Sequence, residues 1–229
     1  VILNHKNLVV TTQSYIQSAN INSNDSFLSW FPLTHDMGLI GWHLTPVMAS
    51  INQVLIETSL FVRAPAVWMD KVTEYKSTII CTPNFGLKHF LTFTKKIKTA
   101  EWDLSRVRIV ANGAEPISAE LCEEFLEALK PYGLKHQVMT PGYGLAEIGL
   151  IGTLSDCDSD FELLTVDRTK LNIGQKIEEI SVDSNNALSF VCEGAFIPAL
   201  EVQFLDEKNK KLPAEHVGRI FLKGDCVTS

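Results

Sequence analysis

Short β-branched and apolar runs alternate with stretches of helical period over the first two-thirds of the chain. Phe27 to Phe31 predicts a strand, and Leu39 to Ser50 a helix. The same alternation continues with a strand at 53–57, a helix at 64–75, a strand at 78–81 and a helix at 87–97. It ends with a strand at 106–111, a helix at 119–130 and a fifth strand at 137–139. Repeated strand–helix pairs imply βαβ units, hence an α/β fold with a doubly wound, mostly parallel sheet covered by helices. The clearest helix is 119–130. Leu121, Cys122, Phe125, Leu126 and Leu129 share one face, and Glu120, Glu123, Glu124 and Glu127 lie largely opposite. Ser118 is a natural N-cap, and Pro131 and Gly133 end the helix.

The pattern changes after Gly149. Residues 152–186 are polar and turn-rich, with weak periodicity, and from Leu188 onward the chain reads as β, at 188–192, 200–205 and 219–222. Asp206 to Lys211 reads as a solvated hairpin tip. A boundary near residue 185 therefore separates an α/β unit, 1–184, from the start of a small β subdomain, 185–229.

Twenty Lys and Arg against 27 Asp and Glu give a net charge of −7, which argues against a nucleic-acid-binding surface. No apolar run approaches the roughly 20 residues of a membrane span. The five cysteines are odd in number and widely spaced, without a C-x-x-C pair. Free thiols in a reducing cytoplasm are the expectation. The chain opens at Val1 without Met and stops abruptly at Ser229, which reads as an internal fragment.

In open α/β sheets, ligands sit at the carboxyl ends of the strands. The loops there are 32–38, 82–86, 112–116 and 140–147, each holding Gly and Pro. Gly admits close backbone approach and Pro fixes the path. One such loop is ordinary turn chemistry, but four on one sheet edge point to a site. The common alternatives are missing: no G-x-x-x-x-G-K-[ST], no G-x-G-x-x-G, no G-x-S-x-G and no H-E-x-x-H.

The loops in order resemble the adenylate-forming superfamily of acyl-CoA synthetases, adenylation domains and luciferases, and its fatty acyl-AMP ligase branch most closely. Trp30-Phe31-Pro32-Leu33-Thr34-His35-Asp36-Met37-Gly38-Leu39-Ile40-Gly41 is similar to that branch's W-x-P-x-x-H-D-M-G-L-I-G segment. Asn112-Gly113-Ala114-Glu115-Pro116 resembles its N-G-A-E-P loop, and Tyr143-Gly144-Leu145-Ala146-Glu147 its Y-G-L-A-E motif. Val1 to Leu8 resembles the segment that follows the superfamily's phosphate loop. The ordered set, running from residue 1 to about Gly224, is far more specific than any one motif.

The resemblance implies roles. Asn112, Gly113, Ala114, Glu115 and Pro116 would form one wall of an adenine slot, with Tyr143 stacked on the other beside Gly144, Leu145 and Ala146. Tyr143 could otherwise be a packed core ring. Glu147 would hold Mg²⁺ against the phosphates of ATP, or stabilise a helix start. His35 would stand at the mouth of an acyl channel, or be a structural loop histidine, with Asp36 bracing the loop. Trp30, Met37, Ile40, Phe85 and Gly142 would line the acyl path, with plain core packing as the alternative for the apolar side chains.

By resemblance, the whole protein would join a fatty acid to AMP, using ATP and Mg²⁺. It would then pass the acyl group to the phosphopantetheine arm of an acyl carrier protein. Two features favour this over a CoA synthetase. Ala146 stands where the wider superfamily usually has Thr, and the long segment after Glu147 resembles the ligase insertion. A long-chain acyl-CoA synthetase and a non-catalytic nucleotide- or acyl-binding domain are the alternatives. The phosphate loop, the ribose-binding Asp and the C-terminal domain with its Lys lie outside this sequence, so the fragment alone is expected to be inactive.

Overall fold

The computed structural model describes residues 1–94 and 100–228. Its centre is an all-parallel sheet of β1 (Ser26–Ser29), β2 (Asn52–Leu55), β3 (Ile79–Thr82), β4 (Ile109–Asn112) and β5 (Met139–Pro141), in the order β2-β1-β3-β4-β5. This is the expected α/β architecture. β3 and β4 are buried throughout, as strands covered on both faces must be. Helices α1 (His5–Ser18), α2 (Thr45–Ala49), α3 (Thr58–Arg63), α4 (Ala66–Tyr75), α5 (Asn84–Thr94) and α6 (Ala119–Leu129) flank the sheet. The core joins Phe27, Leu28, Ile79, Ile80, Ile109 and Val110 to Trp68, Phe90 and Phe125. Among the described residues no helix is long and apolar enough to cross a membrane. All five cysteines are unpaired.

Several elements differ from the sequence expectations. The N-terminal helix α1 was not expected. Its buried face is Asn7, Thr11, Thr12, Ser14 and Tyr15, so it carries almost no apolar stripe. It starts on a reciprocal cap in which the Asn4 and Asn7 side chains each accept the other's backbone N–H. The helix expected at 39–50 is two elements, a π-helix over Met37–Leu44 running into α2. Thr45 N–H donates to Ile40 C=O five residues back, and Pro46 has no N–H with which to restore the α-helical ladder. The helix expected at 64–75 begins after Pro65, and α3 precedes it. Residues 95–97 of the helix expected at 87–97 lie outside the described residues. Ser118 caps α6 as expected, accepting from Leu121 N–H at 3.3 Å.

Past the sheet the chain forms antiparallel pairs. β6 (Thr153–Leu154) pairs with β9 (Ala195–Phe196), β7 (Leu163–Asp167) with β8 (Ala187–Val191), and β10 (Glu201–Leu205) with β11 (Arg219–Lys223). β6 and β7 lie in the stretch that reads as turns. β7 is mostly half-buried and so lacks the alternation that marks a two-sided strand. Asp206 organises the expected hairpin tip by accepting the N–H groups of Lys208 and Lys210, each at 2.8 Å.

One buried ion pair ties these elements together. Asp25 is 3% exposed and takes a two-pronged contact from Arg108, with Nε donating to Oδ1 at 2.7 Å and Nη2 to Oδ2 at 2.6 Å. Thr78 Oγ1–H and Asn22 N–H also donate to it, while Arg108 Nη1 reaches Ala19 C=O. The end of α1 and the starts of β1, β3 and β4 thus share one carboxylate. Burial opposes its ionisation, but the bonds from Arg108, Asn22 and Thr78 prevail and hold the carboxyl below its ordinary range. A lowered folded pKa contributes stability that is present above the unfolded value of about 4 and lost as pH falls through the folded one. Urea unfolding of the Asp25→Asn variant at neutral pH should show a loss of about 3 kcal/mol. The variant's stability should also depend less on pH between about 5 and 3 than the parent's does.

Candidate active site

A cavity of about 210 Å³ opens at the carboxyl ends of β1, β4 and β5. Three of the four expected loops line it. His35, Asp36 and Met37 follow β1, Gly113 and Ala114 follow β4, and Gly142, Tyr143 and Gly144 follow β5. Asn112 and Thr140, within the strands, complete that side. Its inner wall is Tyr15 from α1, Trp42 from the π-helix, and Leu150, Ile151 and Leu154. The sequence reading missed these five. For Tyr15 the available signal was the Asn4–Asn7 cap, which announces α1 and sets its phase.

Main chain packed on main chain shapes the rim. A methyl at Gly113 would lie 2.6 Å from Gly142 C=O, and one at Gly142 2.9 Å from Thr153 C=O. At Gly144 it would run into Leu150 C=O. No side chain fits at these three positions. Ala114 sits between them at φ +71°, the left-handed region that disfavours any residue with a Cβ.

The loop after β1 is braced by Asp36. Its Oδ1 accepts Met37 N–H at 2.7 Å and lies 2.8 Å from His35 Nδ1. This holds the exposed His35 ring edge-on to Phe31 at the cavity mouth. The same contacts turn Met37 inward. Tyr143 is half-buried, with its backbone clamped to the next hairpin by Gly152 N–H at 2.8 Å, Thr153 N–H at 2.9 Å and Thr153 Oγ1 at 3.1 Å.

Other expected site residues lie elsewhere. Trp30 does not line the cavity. It stacks on Phe61 at 4.0 Å and meets Trp68 edge-on in the core. Ile40 is buried on the π-helix away from the cavity wall. Phe85 is 52% exposed and stacks on His89. Glu115 and Pro116 join two loops instead of facing the cavity. Glu115 Oε1 accepts Phe85 N–H at 2.9 Å, and Pro116 C=O accepts from Asn84 Nδ2. The loop after β3 is thereby fastened to the loop after β4 and contributes nothing to the cavity wall. Leu145 and Ala146 lie beyond the rim.

Glu147 is the middle residue of a single 3₁₀ turn, Ala146–Ile148, where the sequence predicts a helix start; Gly149 at φ +85° ends it. Its side chain is exposed, with no hydrogen bond or ion pair among the described residues, while its backbone C=O accepts Thr228 N–H at 2.7 Å. The same C-terminal segment is held to α1 by Asn7 Nδ2, which donates to Asp225 C=O and Val227 C=O. No cluster of three or more His, Cys, Asp or Glu that could hold a metal occurs among the described residues. A lone free carboxylate instead suits Mg²⁺ that arrives on nucleotide phosphates and takes its remaining ligands from them and from water.

Several polar atoms of the residues lining the cavity are buried without a partner. The Tyr15 hydroxyl, Trp42 Nε1 and Asn112 Oδ1 have none among the described residues. Asn112 Nδ2 points away from the cavity mouth, to Cys122 Sγ at 3.3 Å. Such groups cost about 1–3 kcal/mol each when left dry.

Residues 1–229 match the family model of the AMP-binding enzymes. Long-chain-fatty-acid–AMP ligase FadD32 of Mycolicibacterium smegmatis is 33% identical over 228 residues, covering 97% of this chain and 36% of that protein. Medium-chain-fatty-acid–[acyl-carrier-protein] ligase JamA of Moorena producens is 29% identical, covering 97% of this chain and 38% of that protein. The crystal structure of a fatty acid AMP ligase from Legionella pneumophila superposes with a TM-score of 0.93 at 30% identity, over 99% of this chain and 39% of that one. This chain thus spans well under half the length of each. With the family model matched from end to end, the chain belongs to the AMP-binding enzymes.

Proposed function

We propose that the protein containing this chain joins a fatty acid to AMP and passes the acyl group to the phosphopantetheine thiol of an acyl carrier protein. A carboxylate oxygen attacks the α-phosphorus of ATP, the bond to the bridging oxygen breaks, and pyrophosphate leaves. The observation that carries this reading is the mixed lining of the cavity. Its rim is bare backbone at Gly113, Gly142 and Gly144, suited to the close approach of a flat polar ligand, and its inner wall is largely apolar. A nucleotide at the rim and an acyl chain inward would meet near His35.

In this reading the Gly113–Ala114 backbone and the Tyr143 ring bracket the adenine, with Asn112 and Gly144 behind them. Glu115 and Pro116 act by holding the loop, and Leu145 and Ala146 by carrying the chain to Glu147. Glu147 would hold Mg²⁺, which would supply charge neutralisation at the phosphates. His35 holds the substrate carboxylate by a hydrogen bond, and Met37 forms the neck of the acyl path. Catalysis then rests on positioning and on charge stabilisation. The unpaired cysteines fit a reducing, cytoplasmic setting.

The carrier-protein acceptor is favoured over CoA by the segment between β7 and β8. Gly174 N–H donates to Val217 C=O and Ile177 N–H to Glu215 C=O, both at 2.7 Å, and Lys176 pairs with Glu215. A strapped segment of this kind would restrain the domain rotation that CoA use requires.

Mass spectrometry of the whole protein incubated with Mg·ATP, fatty acids and CoA should find acyl-AMP accumulating without acyl-CoA. Efficient acyl-CoA formation would assign it to the CoA synthetases, and no adduct at all would leave a binding domain. Tyr143→Ala should raise the KM for ATP about tenfold through loss of stacking, with kcat less affected. Glu147→Gln should lower kcat at least ~100-fold and raise the Mg²⁺ concentration for half-maximal rate, both read by pyrophosphate release.

A further inference from the structure

Asn7 joins helix α1 to the turn that carries Glu147 through a short run of chain. The residue is 4% exposed, and both ends of its amide are bonded. Oδ1 accepts Asn4 N–H at 2.9 Å, while Nδ2 donates to Asp225 C=O at 2.7 Å and to Val227 C=O at 3.1 Å. These partners fix which end is which, since the reverse would set Oδ1 against two carbonyl oxygens. Next along the chain, Thr228 N–H donates to Glu147 C=O at 2.7 Å. The Thr228 hydroxyl donates to Ile2 C=O, so Ile2 and Asn7 together hold residues 225–228.

Glu147 depends on that segment. Its exposed carboxylate has no hydrogen bond or ion pair among the described residues, so its aim follows from the placing of its backbone. The turn Ala146–Ile148 has two bonds of its own, from Ile148 N–H to Leu145 C=O and from Gly149 N–H to Ala146 C=O. Among the described residues, Thr228 N–H makes the one hydrogen bond that reaches the turn from a distant part of the chain. α1 also meets the end of the turn directly, where a methyl at Gly149 would lie 2.8 Å from Thr11 Cγ2. That packing limits how close the turn lies to the helix. A hydrogen bond is directional, so the Thr228 contact also constrains how the turn is rotated.

We propose that Asn7 is a positioning residue for Glu147, acting through residues 225–228 to hold the turn where its carboxylate meets a metal–nucleotide complex. This rests on the assignment of Mg²⁺ to Glu147 above and adds the residue that aims it. Asn suits the task because one side chain supplies an acceptor for the helix start and two donors for the passing chain.

The test is calorimetric binding of ATP to the whole protein, once with Mg²⁺ and once with EDTA. The ratio of the two affinities is the gain that Mg²⁺ confers. Asn7→Ala should cut that gain about tenfold, the low end for residues that orient a metal ligand, and leave the affinity in EDTA unchanged. Asn7→Ser, too short to reach both carbonyls, should act the same way and serves should Asn7→Ala fail to fold. Adding Asn7→Ala to Glu147→Gln should lower the gain no further, because the carboxylate through which Asn7 acts is gone. An unchanged gain in Asn7→Ala would overturn the positioning role. So would equal weakening with Mg²⁺ and with EDTA, which marks a structural defect, or the same loss of gain with and without Glu147→Gln. Should Glu147→Gln alone keep the full gain, the metal assignment itself falls, and the proposal with it.

Discussion

Main chain lying directly on main chain at the ends of β4 and β5 is the constraint on which the site depends. Gly113 lies on Gly142, Gly142 on Thr153, and Gly144 on Leu150, each with no room for a Cβ. The contacts layer three segments in sequence: the loop after β4, the loop after β5, and the hairpin that leads into β6. Because β4 and β5 are paired in register, with Asn112 opposite Pro141, the sheet fixes where the first two layers begin. The backbone bonds from Gly152 and Thr153 to Tyr143 fix the third. The rim is therefore an extension of the sheet, and it inherits the sheet's rigidity where a long loop would be mobile.

The other side of the cavity is held by different means. α1 is fastened at its C-terminal end by the Asp25–Arg108 pair and at its N-terminal end by Asn7, whose side chain reaches the segment 225–227. Tyr15 is carried into place between those two fixings. The π-helix brings Met37 and Trp42 to the same wall, and Asp36 sets its first turn by accepting Met37 N–H. Gly41 lets it lie against Leu150, where a methyl would approach the side chain to 2.9 Å. Polar contacts thus aim the inner wall, and apolar packing fills it.

How much of this the sequence discloses follows from which forces act locally. The central strands β3 and β4 are legible because both faces are covered and each reads as a short, largely apolar run, as Ile79 to Thr82 does. Helix α6 is legible because one face is solvated. α1 is not, since its buried face is Asn, Thr, Ser and Tyr, and its stability comes from caps and tertiary hydrogen bonds. The π-helix is not either, since Leu39, Ile40 and Trp42 fit an α-helical period equally well until Pro46 removes a donor. Rim residues such as Gly113 and Tyr143 could be named because the motifs that hold them resemble those of a known family. The placements of Trp30 and Glu115 depend on which neighbour wins a side chain, Phe61 for the ring and Phe85 N–H for the carboxylate. No linear pattern encodes that competition.

The departures from ideal geometry supply an argument independent of any relative. Ala114 holds a left-handed φ at a cost of about 1 kcal/mol. Met37–Leu44 is wound as a π-helix, and Tyr15 and Trp42 keep buried donors without partners. Ala114, Met37, Trp42 and Tyr15 all line one cavity, while Trp30 and Trp68 in the aromatic core keep unpartnered indoles as well. Selection for stability alone would remove them cheaply: Gly at 114 would relax the backbone, and Phe at 15 would remove an unpaired hydroxyl at little change in volume. The left-handed Ala114 and the π-helix, both beside the cavity, are local departures of the kind that functional sites keep.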